Sequence, residues 1–225
     1  GAGSPAAPLP PSAVPARPDG VYGVVMIGLF RLAFGAAVGY QPRRSWVDGA
    51  ESYRALVEIA SRLYSSCADD VERSAKVAAI FAPFPKTPQL LRDDRQSCET
   101  LAVLTRALFP FLVGPCTIDE WTRGGDVTRG GDTWRSKVRI ERCRFLDASA
   151  CKGMCVGLCK RPSEAYFASL GLPVSFAPNF DDCSCEMVWG RTPTDADLAG
   201  ADLSCFKACD IRDAAHATRA RPPRE

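Results

Sequence analysis

The stretch that decides the reading runs Cys143-Arg144-Phe145-Leu146-Asp147-Ala148-Ser149-Ala150-Cys151-Lys152-Gly153-Met154-Cys155-Val156-Gly157-Leu158-Cys159. Within it, Cys151, Cys155 and Cys159 are spaced by four. On a helix that spacing puts successive members on one face. A continuous helix would also hold Cys151 and Cys159 about 12 Å apart along its axis, at a rise near 1.5 Å per residue. That is too far for both to close on one tetrahedral ion. Either Gly153 and Gly157 break the helix into a ligand loop, or the thiols serve different sites.

Working outward, Cys183 and Cys185 flank Ser184, and Cys205 and Cys209 are again four apart. The chain carries 11 cysteines and one histidine, His216. That asymmetry excludes a histidine-rich iron site and the two-histidine-one-carboxylate triad. A Ser-His-Asp triad would rest on a lone histidine in a tail. Any metal must lean on sulfur. The zinc pair Cys-x-x-Cys is absent, and so is the ferredoxin run Cys-x-x-Cys-x-x-Cys. An iron–sulfur cluster, larger than one ion, tolerates the spacing better than zinc. Disulfides are the alternative. However, 225 residues at 46% hydrophobic can build a core without staples, and an odd count leaves one thiol free or paired between chains.

Lys plus Arg is 28 against 26 for Asp plus Glu, which gives no reason to expect a nucleic-acid partner. Residues 1–20, rich in Ala, Pro, Gly and Ser, read as a disordered linker or transit-peptide remnant. Residues 211–225 read as a flexible basic tail. Val21 to Tyr40 is apolar except for Arg31, and reads as a buried or membrane-surface helix. A membrane span is the other option, against which a central arginine costs roughly 2.5–3.5 kcal/mol.

Asp48 and Glu51 form a capping-box-like start to a helix burying Tyr53, Leu56, Val57, Ala60, Leu63 and Tyr64. Asp69 and Asp70 open a second, with Val71, Ala75, Ala78 and Ile80 expected towards the core. It stops at Pro83 and Pro85. A third helix is expected over Thr87 to Leu108. Thr117 to Thr122 and Trp134 to Phe145 read as two strands, with Val138 and Ile140 alternating against Arg139 and Glu141. Between them Thr122-Arg123-Gly124-Gly125-Asp126 recurs as Thr128-Arg129-Gly130-Gly131-Asp132, a tandem duplication without a Walker lysine. The fold class is therefore α+β and mainly helical. A helical region, 21–113, packs with a small antiparallel hairpin and a cysteine-rich metal-binding region, 114–210.

The motifs now assemble into a resemblance. The run from Cys143 to Ser149, then Cys151, Gly153-Met154-Cys155, Cys159-Lys160 and Pro162, resembles the plastid β-carotene isomerases of strigolactone biosynthesis. So do Pro178-Asn179-Phe180-Asp181-Asp182, Ser184-Cys185-Glu186, Cys205-Phe206 with Cys209, and, upstream, Leu112-Val113-Gly114-Pro115-Cys116. The resemblance is close over roughly Ala107 to Asp210. It implies an iron-dependent enzyme interconverting all-trans and 9-cis β-carotene or a related carotenoid. It carries over Cys116, Cys143, Cys151, Cys155, Cys159, Cys185, Cys205 and Cys209 as the thiol set for iron; the cysteine spacing favours holding that iron as a thiolate-ligated iron–sulfur cluster. Cys183 departs from the family pattern. Cys67 and Cys98 lie outside it and read as small core residues.

The resemblance also implies a plastid location, stromal or peripheral on a membrane, with a protein partner in a thylakoid or envelope complex. An apolar substrate must be bound by apolar burial, for which Val24 to Phe34 and Leu101 to Val113 are the expected walls. Asp181, Asp182 and Glu186 are read as turn residues. Schiff-base chemistry would need a buried lysine, and the apolar stretches contain none. The competing reading is a non-catalytic iron–sulfur or carotenoid-binding subunit docked on a photosynthetic membrane complex.

Overall fold

The structure, a computed structural model, describes residues 19–82, 93–124, 131–194 and 197. Four longer helices come first: α1 (Val21–Val38), α2 (Gly49–Ser66), α3 (Asp70–Phe81) and α4 (Arg95–Leu108). A single turn, α5 (Pro110–Val113), leads into β1 (Cys116–Thr122) and β2 (Thr133–Ile140). The thiol segment follows as α6 (Arg144–Ser149), α7 (Lys152–Met154), a π-helical stretch (Cys155–Lys160) and α8 (Arg161–Ser169). Strands β3 (Val174–Pro178) and β4 (Cys185–Trp189) close the described part.

Aspartates cap α2, α3 and α4, the first two at the expected starts. Asp48 accepts from the Glu51 amide at 2.9 Å, Asp69 from Glu72 at 2.8 Å and Asp94 from Ser97 at 2.8 Å. Each satisfies an amide that has no partner within its own helix. Helix α2 buries Tyr53, Leu56, Val57, Ala60 and Leu63 as expected. Helix α3 corrects the expectation. Its buried face is Arg73, Val77 and Ile80, while Val71, Ala75 and Ala78 are exposed. Arg73 lays its guanidinium over the Tyr64 ring at 4.1 Å and ion-pairs with Asp70, so a charged residue belongs to the inner stripe. Helix α4 starts at Arg95; the expected start at Thr87 lies outside the described residues.

The four strands form one antiparallel sheet in the order β1-β2-β4-β3. The expected hairpin is present as β1 and β2. The second expected strand ends earlier, at Ile140, because Cys143 already starts α6. Strands β3 and β4 were not anticipated. Most of the duplicated loop, residues 125–130, lies outside the described residues.

In register, Val138 faces Met187 and Ile140 faces Cys185, which pairs with Pro178 on its other side. Trp134, Val138, Ile140, Met187 and Trp189 share the buried face, and Arg135, Arg139 and Glu186 alternate outward. The buried core is continuous from Ile27 through Leu56 and Leu63 to Met154, Val174 and Trp189.

Candidate functional site

The strand register and the bend after β2 bring thiols together. Cys185 opens β4 opposite Ile140. Cys143 precedes α6, and its amide donates to the Cys183 carbonyl at 2.7 Å. Cys155 and Cys159 project from the π-helical stretch. The side chains of Cys143, Cys155, Cys159 and Cys185 line one cavity of about 20 Å³, walled by Val113, Ile140, Phe145 and Phe176. Cys143, Cys155 and Cys185 are buried and Cys159 is half-buried.

The thiol helix is not broken. It continues from Lys152 to Ser169, with one wide turn where hydrogen bonding follows the π pattern. Gly153 and Gly157 therefore have another purpose. A Cβ at position 153 would collide with the Tyr64 hydroxyl, and one at 157 would lie 3.1 Å from Arg73 Cδ and 3.2 Å from the Tyr64 ring. Both glycines let α2 and α3 approach the thiol helix.

The remaining expected ligands are dispersed. Cys116 is half-buried at the start of β1, and its Sγ donates to the Gly114 carbonyl at 3.2 Å. Cys151 caps α7, accepting from the Met154 amide at 3.5 Å, and does not line the cavity. Cys205 and Cys209 lie outside the described residues. Cys67 and Cys98 are buried, as read from the sequence. The nine described cysteines are free thiols. Among the described residues, no group of three or more His, Cys, Asp or Glu side chains is placed to hold a metal ion. The donor chemistry of the cavity suits a soft or borderline metal. Its described geometry does not assemble a coordination sphere.

Burial dominates the electrostatics. It pushes the Cys159 thiol up to about 12, with nearby Cys143 adding to the rise. Burial also pushes Cys116 up to about 11, and Cys143, Cys155 and Cys185 upward. At Cys185 the Lys160 ammonium partly opposes this rise. The metal-free cavity thus holds neutral thiols at neutral pH.

Folded values above the ordinary thiol value of 9.0 mean that neutral thiols stabilise fully below pH 9. This contribution is lost as pH rises through about 11 to about 12. Denaturant midpoints of the metal-free protein should hold level up to pH 9 and fall above it, in step with ultraviolet thiolate absorbance. A thiolate signal complete by pH 9 in the folded protein would contradict this.

Two residues at the site escaped the sequence reading. Lys160, only 3% exposed, borders the cavity. Its Nζ donates to Glu164 and to the Phe176 carbonyl, each at 2.6 Å. The same Glu164 oxygen accepts from the Phe176 amide at 2.8 Å. The thiol helix thus buries a lysine outside the apolar stretches, which contain none. Two of its three hydrogens go to a carboxylate and a carbonyl, which disfavours a nucleophilic role. The signal was an i, i+4 Lys–Glu pair directly after Cys159.

The turn reading holds for Asp181 and Asp182, whereas Glu186 lies within β4 opposite Arg139 and ion-pairs with Lys137 at 3.5 Å. Asp182 accepts from the Ser184 amide at 2.8 Å, and both Asp181 and Asp182 are exposed. Of the expected apolar walls, only Val113 reaches the cavity. A larger depression, lined by Arg95, Gln96, Glu99, Thr100 and Val103, lies open on the outer side of α4 and contains no thiol.

Comparison with known proteins places this geometry in a family. Residues 111–197 match the family described as Beta-carotene isomerase D27-like, C-terminal. The cavity residues all fall within that segment. The chain is similar to Beta-carotene isomerase D27, chloroplastic, of Medicago truncatula, at 31% identity over 82% of this chain and 71% of that one. It is also similar to the Arabidopsis thaliana protein of the same name, at 39% identity over 50% of this chain and 41% of that one. No solved structure matches the chain. These similarities define a class, the carotenoid isomerases of the plastid. The chain belongs to the D27-like β-carotene isomerase family, and its location is the chloroplast.

Proposed function

We propose that the chain is an iron-dependent isomerase that interconverts all-trans and 9-cis β-carotene, or a related carotenoid, at a plastid membrane. The observation that carries this reading is the convergence of Cys143, Cys155, Cys159 and Cys185 on one apolar cavity. The named relatives are β-carotene isomerases. The proposed iron donors are drawn from these four thiols together with Cys116, Cys151, Cys205 and Cys209. When bound, iron supplies a centre that can transiently lower the double-bond order of one polyene bond.

The chain's own residues do the rest. Phe145, Phe176, Val113 and Ile140 give the cavity apolar walls suited to a hydrocarbon and exclude water. Lys160 places a fixed positive charge near Cys185 and favours its thiolate. A cavity of about 20 Å³ admits no polyene. Substrate entry therefore requires the apolar walls to part.

The test is anaerobic purification, iron and sulfide analysis, then incubation with all-trans β-carotene and separation of the isomers. Iron in the protein and a rising 9-cis fraction are expected. The Cys155→Ser variant should lose most of the iron and the isomerisation while keeping its helical signal. Unchanged iron in that variant would remove Cys155 from the donor set. Iron-loaded protein that leaves the isomer ratio unchanged would replace the enzyme reading with a carotenoid-binding subunit.

A further inference from the structure

We propose that the outer face of α1, the Trp46–Val47 loop and the end of α4 form a single docking surface for an anionic lipid bilayer. The inference rests on the membrane contact proposed above and assigns it to particular residues.

Helix α1 is long and apolar enough to cross a bilayer by length and composition. Its packing shows a different arrangement. Gly23, Ile27, Arg31 and Gly35 form the buried stripe, one residue per turn. Arg31, the helix's sole charge, is fully buried. Its guanidinium donates to the Ser45 carbonyl at 2.9 Å and to Ser52 Oγ at 3.2 Å, and lies over the Trp46 ring at 3.6 Å. A spanning α1 would have to pull that charge out of its partners and into hydrocarbon. The helix instead lies flat on the protein, with the charge turned inward.

The opposite stripe is Val21, Val25, Leu29 and Leu32, each more than half exposed. No charged or hydrogen-bonding side chain interrupts it. A helix face of a soluble protein normally turns its polar residues outward; α1 reverses this.

Both flanks of the stripe continue the same chemistry. On one side Tyr22, half-exposed, donates to the Leu108 carbonyl at 3.1 Å, which joins α1 to exposed Leu104 and Leu108 on α4 and to Phe109 just after it. On the other, Trp46 lies against Gly28, and the neighbouring Val47 is 84% exposed. Tyr and Trp at the edges of an apolar band are the side chains that settle at headgroup level.

The charges complete the argument. Arg43 follows the end of α1 and is exposed; Arg106, in the last turn of α4, lies on the side of that helix away from Leu104 and Leu108, near Cys116. The nearby carboxylates are engaged. Arg44 ion-pairs with both Glu51 and Glu58, and Asp48 caps α2. Apolar area edged by aromatics and by the exposed Arg43 matches an anionic bilayer surface. A second copy docking through the same face would set its Arg43 against this one.

The test is flotation of the full chain with phosphatidylcholine vesicles, with and without phosphatidylglycerol. The chain should float with both, more strongly with the anionic vesicles. Leu29→Glu with Leu32→Glu, at exposed positions, should keep the far-ultraviolet spectrum and thermal midpoint while lowering the floated fraction at least tenfold. Arg43→Ala should reduce only the advantage of the anionic vesicles. The proposal is overturned if the wild-type chain stays unbound, or if the leucine variants float unchanged. It is also overturned if light scattering shows a dimer that those variants make monomeric, because a second copy would then be the occupant. Flotation needs neither iron nor turnover, so its failure is separable from failure of the isomerase reading.

Discussion

Replacing Lys160 with alanine is expected to destabilise the protein by about 3–5 kcal/mol, the usual cost of leaving half of a buried ion pair behind. The Lys160 and Glu164 side chains are 4% and 10% exposed and meet at 2.6 Å. Removal of the ammonium strands the Glu164 carboxylate with one remaining donor, the Phe176 amide. It also takes a donor from the Phe176 carbonyl. Against a total folding stability of roughly 5–15 kcal/mol, this is a large fraction.

The double variant Lys160→Met with Glu164→Gln should regain most of the loss. The glutamine oxygen still accepts from Phe176, and no charge remains buried. Urea unfolding midpoints of the wild type, the single variant and the double variant measure the effect. A loss below about 1 kcal/mol in the single variant would mean that the pair behaves as an exposed one. The double variant also separates structure from chemistry. If it folds but loses iron, the Lys160 charge serves the thiols rather than the fold.

The second large effect is expected at Gly114. Its φ of +93° and ψ of −175° fall in a region that only glycine occupies without strain. An added Cβ would also sit 2.9 Å from the Arg142 carbonyl oxygen. Strain and overlap together place Gly114→Ala at about 3–4 kcal/mol. That corresponds to a fall of roughly 6–16 °C in Tm for a chain of this size. The position joins α5 to β1, and its carbonyl accepts from Cys116. The backbone shift that relieves the overlap should therefore displace Cys116 relative to nearby Cys143. Thermal unfolding of Gly114→Ala beside the wild type is the measurement. An unchanged Tm would show that the turn can adopt another conformation at little cost.

Much of the helical part was legible because capping and periodicity coincide there. Asp48, Glu51 and the stripe from Tyr53 to Leu63 all point the same way. Helix α3 was not, since Val71, Ala75 and Ala78 recur at the same spacing as Arg73, Val77 and Ile80. Small and apolar residues made the wrong stripe look like the inner one, while a stacked arginine disguised the right one. Strands β3 and β4 are five residues each. In β4 Met187, Val188 and Trp189 are all buried, so the alternation that marks a half-buried strand is lost.

At the candidate site, each cysteine was legible but their convergence was not. Spacing by four accounts for Cys155 and Cys159 only. Cys185 joins them through the β2–β4 register, and Cys143 through the turn between β2 and α6. Those are long-range facts that no local pattern contains. Lys160 and Glu164 were passed over because charged pairs at this spacing usually face water.

The wide turn from Cys155 to Lys160 has a consequence for how the segment is aimed. It amounts to one surplus residue accommodated inside an otherwise regular helix, and it offsets everything after it by about 100° relative to what precedes it. The front half can thus keep Gly153 against Tyr64 while the rear half turns Lys160 onto the carbonyl of Phe176. A strictly α-helical segment could meet one of these neighbours or the other. The surplus residue is what lets a single rod answer to α2 at one end and to β3 at the other, with the thiols in the part that does the turning.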